Sequence, residues 1–229
     1  MPESSAKRWI ALCLAFCFLF LVACDEQRGE APKIADYGPG GADFAVQLAT
    51  TYPSREAGSG GEEGAANLIE QTFRDLGYAP QRQTFELPNG GSSQNILVKI
   101  PGNGFTYTPP EEGENLQMEE NRDKLGQDLQ ATVLVAATYN TPSLDQETIA
   151  NGNFNGISDN ASGVGALMML AKQLKNYRSG YDIILVALGG TNQNYAGARA
   201  LYNGLSESTL DTLDCFYEIR NIYAGTKLY

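Results

Sequence analysis

Histidine is absent from this 229-residue chain. No imidazole is therefore available to activate a serine or cysteine nucleophile, and the Gly-x-Ser-x-Gly elbow of serine hydrolases does not occur either. The absence also removes one of the side chains that zinc prefers and leaves thiolate and carboxylate. Hydrolysis by a histidine-assisted nucleophile is excluded for this sequence.

Basic residues are also scarce. The chain has 16 lysines and arginines against 27 aspartates and glutamates, which gives a formal net charge of −11. Such a surface repels phosphate backbones, so we expect no nucleic-acid partner. The same acidity keeps a protein soluble and by itself indicates no further function.

Cysteine occurs four times, and three of the four lie near the N-terminus. Lys7 and Arg8 precede an apolar run over residues 9–23. The run is shorter than the roughly 20 residues of a membrane-spanning helix and is typical of a secretory signal peptide. It ends in "LVAC", which resembles the lipobox of bacterial lipoproteins, and this resemblance implies that Cys24 is lipidated. An unprocessed signal anchor with a chance cysteine is the alternative.

The lipobox divides the N-terminal part of the chain. Residues 1–23 are interpreted as a lipoprotein signal peptide, and residues 24–41 as a lipidated N-terminus with a flexible tether rich in glycine, proline and charge. After cleavage Cys215 would be the remaining unmodified thiol. One thiol is not enough for an internal disulfide or a thiolate zinc site.

The residue after the lipidated cysteine is Asp25. In some Gram-negative lipoproteins an aspartate at this position retains the protein at the inner membrane. We therefore expect a lipid-anchored protein of the bacterial cell envelope, on the periplasmic face of the inner membrane.

From residue 42 onward, strand and helix patterns alternate. Short apolar runs predict strands, and apolar residues at i, i+3 and i+4 predict helices. The predicted strands are "RQTFEL", "SQNILVKI", "ATVLVAAT", "YDIILVAL" and "LDCFYEIRNIY", and the predicted helices are "GGEEGAANLIEQTFRDLGY", "SGVGALMMLAKQLKN" and "YAGARALYNGL". This order predicts an α/β fold of three layers, a mostly parallel mixed sheet with helices on both faces. Residues 102–130 predict an acidic surface insertion with a short helix near residues 115–125.

Five segments together resemble one family. They are "YPSREAGSGGEEGAANLIEQTFRDLGY", "SQNILVKIPG", "VLVAATYNTP", "ISDNASGVGALMMLAKQL" and "DIILVALGGTNQNYAGARAL". Their order and spacing resemble the co-catalytic zinc aminopeptidases of peptidase clan MH, a group that also includes glutaminyl cyclases, glutamate carboxypeptidases and the transferrin receptor. The resemblance runs from about Phe44 to Leu205 and implies a zinc-exopeptidase-like fold for residues 42–229.

The resemblance also assigns site positions. The family holds two zinc ions with ligands from strand ends on one rim of the sheet. Thr138 stands at the position of a ligand histidine, and Asn140 at the aspartate that orients it. Asp159 aligns with the bridging carboxylate, while Thr191 and Asn192 align with the two glutamates that act as general base and ligand. Of these positions only Asp159 keeps the expected residue type.

The last two ligands of the family are an acidic residue on the following strand and a C-terminal histidine. Arg220 and Asn221 lie about where the acidic residue is expected, and the histidine has no counterpart. We therefore expect a domain that is incomplete at its C-terminus. Asp159 has a second interpretation as a cap of the helix that follows it.

Other polar residues offer weaker candidates. Glu56, Glu62 and Glu63 could supply a carboxylate pair, but glutamates in a loop and at a helix start are ordinarily there for the helix dipole. Ser162 is interpreted as a first-turn helix residue and Cys215 as a buried strand residue.

Three functional hypotheses follow. The first is a non-catalytic lipoprotein, without a cofactor, that binds a peptide or protein partner, as the transferrin receptor uses this fold without peptidase activity. The second is an active zinc aminopeptidase in which Asp159 and carboxylates such as Asp145, Glu147 or Glu218 rebuild the site. The third is a truncated remnant without a function.

Overall fold

The computed structural model describes residues 38–106, 128–143, 147 and 156–222. The interpreted signal peptide, the lipidation site at Cys24 and most of the tether lie outside these ranges. Among the described residues, no helix combines the length and apolar character needed to cross a membrane.

A five-stranded sheet forms the centre of the fold, in the order β1-β2-β6-β5-β7. The strands are β1 (Gln81–Glu86), β2 (Ser92–Ile100), β5 (Thr132–Thr138), β6 (Asp182–Leu188) and β7 (Leu213–Ile219). The β5 strand pairs in parallel with both β6 and β7, whereas the β1–β2 and β2–β6 pairs are antiparallel. The predicted α/β class with a mixed sheet is confirmed. The β1–β2 pair is a hairpin whose turn after Glu86 has Gly90 and Gly91 at positive φ.

Helices cover both faces of this sheet. They are α1 (Gly38–Thr51), α2 (Gly60–Asp75), α3 (Ser162–Leu174), α4 (Ala196–Gly204) and α5 (Glu207–Asp211). The larger core lies between the sheet and α1, α2 and α3, and contains the fully buried Leu48, Phe73 and Leu167. A smaller core on the opposite face is formed by the sheet and Leu201 of α4. The three-layer arrangement follows from burying an apolar stripe of each helix on the sheet.

Helix α1 begins earlier than the sequence indicated. The tether was predicted to continue to residue 41, but Gly38 is already helical. This segment contains glycine and proline and has little intrinsic preference for a helix, so packing stabilises it. The backbone of α1 lies against that of α3 at Gly41 and Gly165, where a Cβ atom on Gly165 would lie 2.2 Å from the carbonyl oxygen of Gly41.

The predicted acidic insertion is described only at its ends. Phe105–Thr106 (β3) and Asp128–Leu129 (β4) form a short antiparallel ladder. The short helix predicted near residues 115–125 lies outside the described residues.

The contact between Gly165 and Gly41 gives a stability prediction. A Gly165→Ala variant should lower the free energy of unfolding by about 1–3 kcal/mol, because the added methyl group forces α1 and α3 apart. Urea unfolding followed by circular dichroism measures the change. Gly60→Ala is the matched control, since a Cβ atom at Gly60 meets no other atom within 4 Å. Equal stability of both variants would contradict the close approach of the two helices.

Candidate functional site

A small cleft lies at the carboxyl ends of the parallel strands β5, β6 and β7. Its volume is about 120 Å³. The residues that line it are Thr138, Asn140, Asp159, Asn160, Thr191, Asn192, Ile219, Arg220 and Asn221. The structure thus brings together every position that the family resemblance assigned, including the loosely aligned Arg220 and Asn221. Carboxyl ends of parallel strands meet at one rim of a sheet, which explains why segments far apart in sequence converge here.

Two strand ends are joined directly across the cleft. Thr138 closes β5, and its hydroxyl lies 3.3 Å from that of Thr191 in the loop after β6. The backbone N–H of Thr191 donates to Asn140 Oδ1 at 3.1 Å. Because that N–H needs an acceptor, it fixes which end of the Asn140 amide faces it.

The nitrogen of the Asn140 amide is unusual for a buried polar atom. Asn140 is buried, with 1% of its surface exposed, and its Nδ2 has no hydrogen-bond partner among the described residues. A buried donor without an acceptor is destabilising by about 1–3 kcal/mol. Asn140 thus leaves one buried N–H group beside the cleft without an acceptor among the described residues.

Asp159 supplies the negative charge of the cleft. It lies in a π-helical turn, Ile157–Ala161, which follows Gly156 in the left-handed conformation and leads into α3. The cap role considered for Asp159 is not seen, because no side chain caps either this turn or α3. Its carboxylate is exposed and accepts one long hydrogen bond, 3.4 Å from Asn160 Nδ2. Asp159 is thus available to a ligand.

Sequence reasoning missed the buried arginine behind the cleft. Arg55 has 0% of its surface exposed, and its Nε donates to the carbonyl oxygen of Tyr139 at 2.7 Å. Its terminal nitrogens reach Asn160 Oδ1 at 2.5 Å and the carbonyl oxygen of Tyr52 at 2.5 Å. The guanidinium therefore joins the loop after α1, the end of β5 and the π-helical turn.

The charge of Arg55 is also perturbed by its surroundings. Burial lowers the pKa of the guanidinium to about 10, and the negative charge of Asp159 opposes that change. At neutral pH the group is still protonated. In the sequence this residue is an arginine in the glycine-rich segment "YPSREAGSGG". Nothing in that segment marks the arginine as buried, because the contacts that bury it come from distant parts of the chain.

Glu62 forms a second buried connection. The sequence suggested only a first-turn glutamate or a member of a carboxylate pair, but Glu62 has 0% of its surface exposed while Glu63 faces solvent. Its Oε1 accepts from Ser93 Oγ and from the N–H of Gly190, both at 2.9 Å, and its Oε2 accepts from the N–H of Gly58 at 2.7 Å. Burial raises the pKa of this carboxyl, and the three hydrogen bonds oppose the rise.

Two further carboxylates considered for a rebuilt metal site, those of Glu147 and Glu218, do not line the cleft with Asp159. Glu218 forms an ion pair with Arg220, 2.6 Å from its Nε. Glu147 is exposed, and Asp145 lies outside the described residues. Within the described ranges, no three histidine, cysteine or acidic side chains are close enough to hold a metal ion.

Two remaining candidates have structural roles. Ser162 is buried, and its hydroxyl donates to the carbonyl oxygen of Ser158 at 3.4 Å. Cys215 is a free thiol that is half-buried, less than predicted, because β7 lies at the edge of the sheet.

Comparison with known proteins shows which family the chain resembles. Residues 123–228 match the model of Peptidase family M28. The fold is that of a zinc aminopeptidase from Bacillus subtilis, with a TM-score of 0.62 and 13% identity over 80% of this chain and 69% of that one. An Acidobacteriales glutaminyl cyclase gives a TM-score of 0.60 and 21% identity over 85% of this chain and 63% of that one. The predicted resemblance to the zinc-exopeptidase-like family is confirmed.

A curated relative matches the whole of this M28-like chain. The alkaline phosphatase isozyme conversion protein of Escherichia coli K12 is 26% identical over 241 aligned positions. The match covers 100% of this chain and 62% of that protein.

The donors in the cleft do not fit the two zinc ions typical of the family. Zinc prefers imidazole, thiolate and carboxylate, and a catalytic ion takes about three protein ligands. Among the described residues that line the cleft, Asp159 supplies the one carboxylate, and the other side-chain donors are hydroxyls, amides and a guanidinium. The unpartnered N–H of Asn140 calls for an acceptor and cannot itself bind a cation.

The raised pKa of Glu62 gives a pH prediction. As pH rises past the ordinary carboxyl pKa, the unfolded state ionises before the folded state, so the stability contributed by Glu62 falls through that interval. The unfolding free energy of the wild type minus that of Glu62→Gln should therefore decrease as pH rises from about 4. Urea unfolding of both proteins over a pH series measures it, with Glu63→Gln as the exposed control. A difference that grows with pH would show a lowered pKa instead.

Proposed function

We propose that this chain is a non-catalytic, membrane-anchored lipoprotein whose M28-like domain binds a peptide or protein partner at the cleft. The observation that carries this proposal is the set of side chains at the rim. The cleft occupies the ends of β5, β6 and β7, where the family places its metal site. Its single carboxylate among the described residues is accompanied by neutral hydroxyl and amide groups and by the guanidinium of Arg220. Neither Thr191 nor Asn192 can accept a proton at neutral pH, so neither replaces the general base.

The chemistry of the cleft suits one end of a peptide. The exposed carboxylate of Asp159 is available to an ammonium group or an N–H donor. Charge-assisted hydrogen bonds of this kind are about twice as strong as neutral ones. A volume of about 120 Å³ corresponds to roughly four water molecules, which is room for a terminal group and little more.

An active zinc aminopeptidase with altered ligands is the second candidate, favoured by the match of residues 123–228 to Peptidase family M28. It requires ligands beyond Asp159, and Glu218 is already paired with Arg220. A chain without a function, the third hypothesis, would show neither zinc nor peptide binding.

Metal content and peptide binding separate these candidates. The full chain, purified in detergent, equilibrated with excess zinc and desalted, should retain about 0.1 zinc per chain or less by mass spectrometry, because the donor set is unsuited to zinc. Immobilised random peptides with free N-termini should still capture it in the presence of a chelator. Asp159→Asn should weaken this capture about tenfold by removing the charge-assisted contact.

The control for this experiment is Glu63→Gln, which removes an exposed carboxylate outside the cleft. One or two zinc ions per chain, lost in Asp159→Asn, would overturn the proposal in favour of the hydrolase. Peptide capture that is equal for wild type and Asp159→Asn would exclude the cleft as the binding site.

Membrane anchoring is proposed from the lipobox alone and is tested separately. Cys24→Ser should leave the chain uncleaved and without acyl chains, since the thiol is the acceptor of the first lipid. Metabolic labelling with a palmitate analogue should mark the wild type and not this variant. Cys17→Ser, in the signal segment, is the control and should be labelled like the wild type. Labelling of Cys24→Ser would contradict the assignment.

A further inference from the structure

The loop between β6 and α4 holds two consecutive residues in the left-handed conformation. Asn194 has a φ of 55° and Tyr195 a φ of 56°. Asparagine adopts this conformation readily, but for a bulky side chain it is an outlier, and glycine would adopt it without steric cost. The loop therefore keeps an aromatic side chain where the backbone favours glycine. Strain of this kind is concentrated at functional sites.

Backbone hydrogen bonds connect Tyr195 to the cleft and to α4. Its N–H donates to the carbonyl oxygen of Thr191, a residue that lines the cleft, at 3.0 Å. Its own carbonyl oxygen accepts from the N–H of Arg199, also at 3.0 Å. The side chain is not buried by this turn, because 60% of Tyr195 is exposed. Tyr195 thus lies between the rim of the cleft and the first turn of α4.

The outward side of α4 continues from Tyr195. Arg199 follows four residues later and Tyr202 three residues after that, a spacing that places side chains on one side of a helix. Arg199 is exposed and Tyr202 is 64% exposed. We call Tyr195, Arg199 and Tyr202 the α4 face. Tyrosine and arginine are enriched among the residues that carry most of the binding energy at protein interfaces.

The opposite side of α4 is fixed on the sheet. A Cβ atom on Gly197 would lie 2.0 Å from the carbonyl oxygen of Gly189. Asn95 of β2 donates from Nδ2 to the carbonyl oxygen of Gly197 at 2.8 Å, and Gln83 of β1 donates from Nε2 to that of Ala200 at 2.8 Å. In the sheet order, β6 and β5 separate β2 from β7. The α4 face therefore belongs to a rigid helix over β1 and β2, toward the β1 edge of the sheet.

Arg199 gives this face a positive charge that is not paired with a carboxylate of the described chain. Its terminal nitrogen donates to the side-chain oxygen of Asn194 at 3.3 Å, and it forms no ion pair within the described ranges. Helix α4 contains no acidic residue. The chain as a whole is acidic, but exposed charges more than about 8 Å apart are largely screened at physiological ionic strength. The face therefore favours a ligand that carries a negative charge.

We propose that a peptide bound by its N-terminal end at the cleft continues over the α4 face, with an acidic side chain at Arg199 between the two tyrosines. This inference rests on the proposed function and names the class of partner, a peptide with a free ammonium group followed closely by glutamate or aspartate. Asp159 and Arg199 provide opposite charges for the two ends of the bound segment, and such complementarity fixes register and orientation.

The spacing of the α4 face indicates where the acidic residue stands in the peptide. Arg199 lies about 6 Å along the helix from Tyr195, because each residue adds about 1.5 Å. An extended peptide spans that distance in about two residues. With its first residue at the cleft and its second at Tyr195, the peptide brings its fourth residue to Arg199. Acidic side chains at the third to fifth positions are therefore within reach of the guanidinium.

Three synthetic peptides test the charge preference. They have free N-termini, a fluorophore at the C-terminus and one common sequence, except for glutamate, glutamine or lysine at the third to fifth positions. In fluorescence polarisation the full chain in detergent, with a chelator present, should bind the glutamate peptide about tenfold more tightly than the glutamine peptide and the lysine peptide most weakly. Arg199→Glu should reverse this order. Arg178→Glu, at an exposed arginine before β6, is the matched control and should keep it.

Tyrosine variants test the rest of the α4 face. Tyr195→Gly should weaken binding of the glutamate peptide several-fold. Its free energy of unfolding should be unchanged or higher, because glycine suits the left-handed conformation. Tyr202→Ala should also weaken binding, whereas Tyr177→Ala, which removes a tyrosine of the same 64% exposure outside α4, should not. Unchanged affinity in both Tyr195→Gly and Tyr202→Ala would contradict a peptide on this face.

The outcomes separate this inference from the proposed function. Binding that is weakened by Asp159→Asn but is equal for the three peptides, or is unaffected by Arg199→Glu, would overturn the α4 face alone. Binding that depends on Arg199 and not on Asp159 would support the α4 face and overturn the cleft as the site of the N-terminus. No binding of any peptide to the wild type would overturn both.

Discussion

The cleft depends on a buried guanidinium. Arg55 donates to the carbonyl oxygens of Tyr52 and Tyr139 and to the side chain of Asn160, and so joins three segments separated by up to 105 positions in the sequence. Removing any of these contacts would leave a buried charge without its full set of acceptors, which is strongly destabilising. Glu62 has a comparable role, because it accepts hydrogen bonds from the loops around Gly58 and Gly190, and Gly190 is next to Thr191 of the cleft. Two charged side chains in the interior thus fix the loops that carry the cleft.

The frame of the site and its chemistry have separate origins. The frame consists of strand ends and of two buried ionisable residues, Arg55 and Glu62, which are not among the residues that line the cleft. The side chains on the frame are few: Thr138, Asn140, Thr191 and Asn192 are neutral, and Asp159 carries the one acidic group of the cleft. The same frame can carry different side chains at the rim, so one fold accommodates hydrolysis in one protein and binding in another.

Much of the fold could be predicted from the sequence because it depends on local pattern. The apolar runs that became β5 and β6 are buried on both faces, and α3 has its apolar stripe at helical spacing. The site positions could also be placed, since loops that follow parallel strands meet at one rim.

Residues whose role depends on contacts far along the chain could not be recognised from the sequence. Glu62 resembles an ordinary first-turn glutamate, and its buried partners are 31 and 128 positions away. Helix α1 was missed for the related reason that its glycines, which read as a tether, permit the contact with α3.

The way in which the rim is held has a consequence for folding. In a two-metal enzyme the ions draw ligands from several loops together and contribute free energy to the native arrangement. Here the corresponding loops are joined by hydrogen bonds within the chain, from Arg55 and to Glu62, and by the contact of Asn140 with the backbone of Thr191. The rim therefore has contacts of its own that keep its loops together, so its shape is determined by the same hydrogen bonds that bury Arg55 and Glu62.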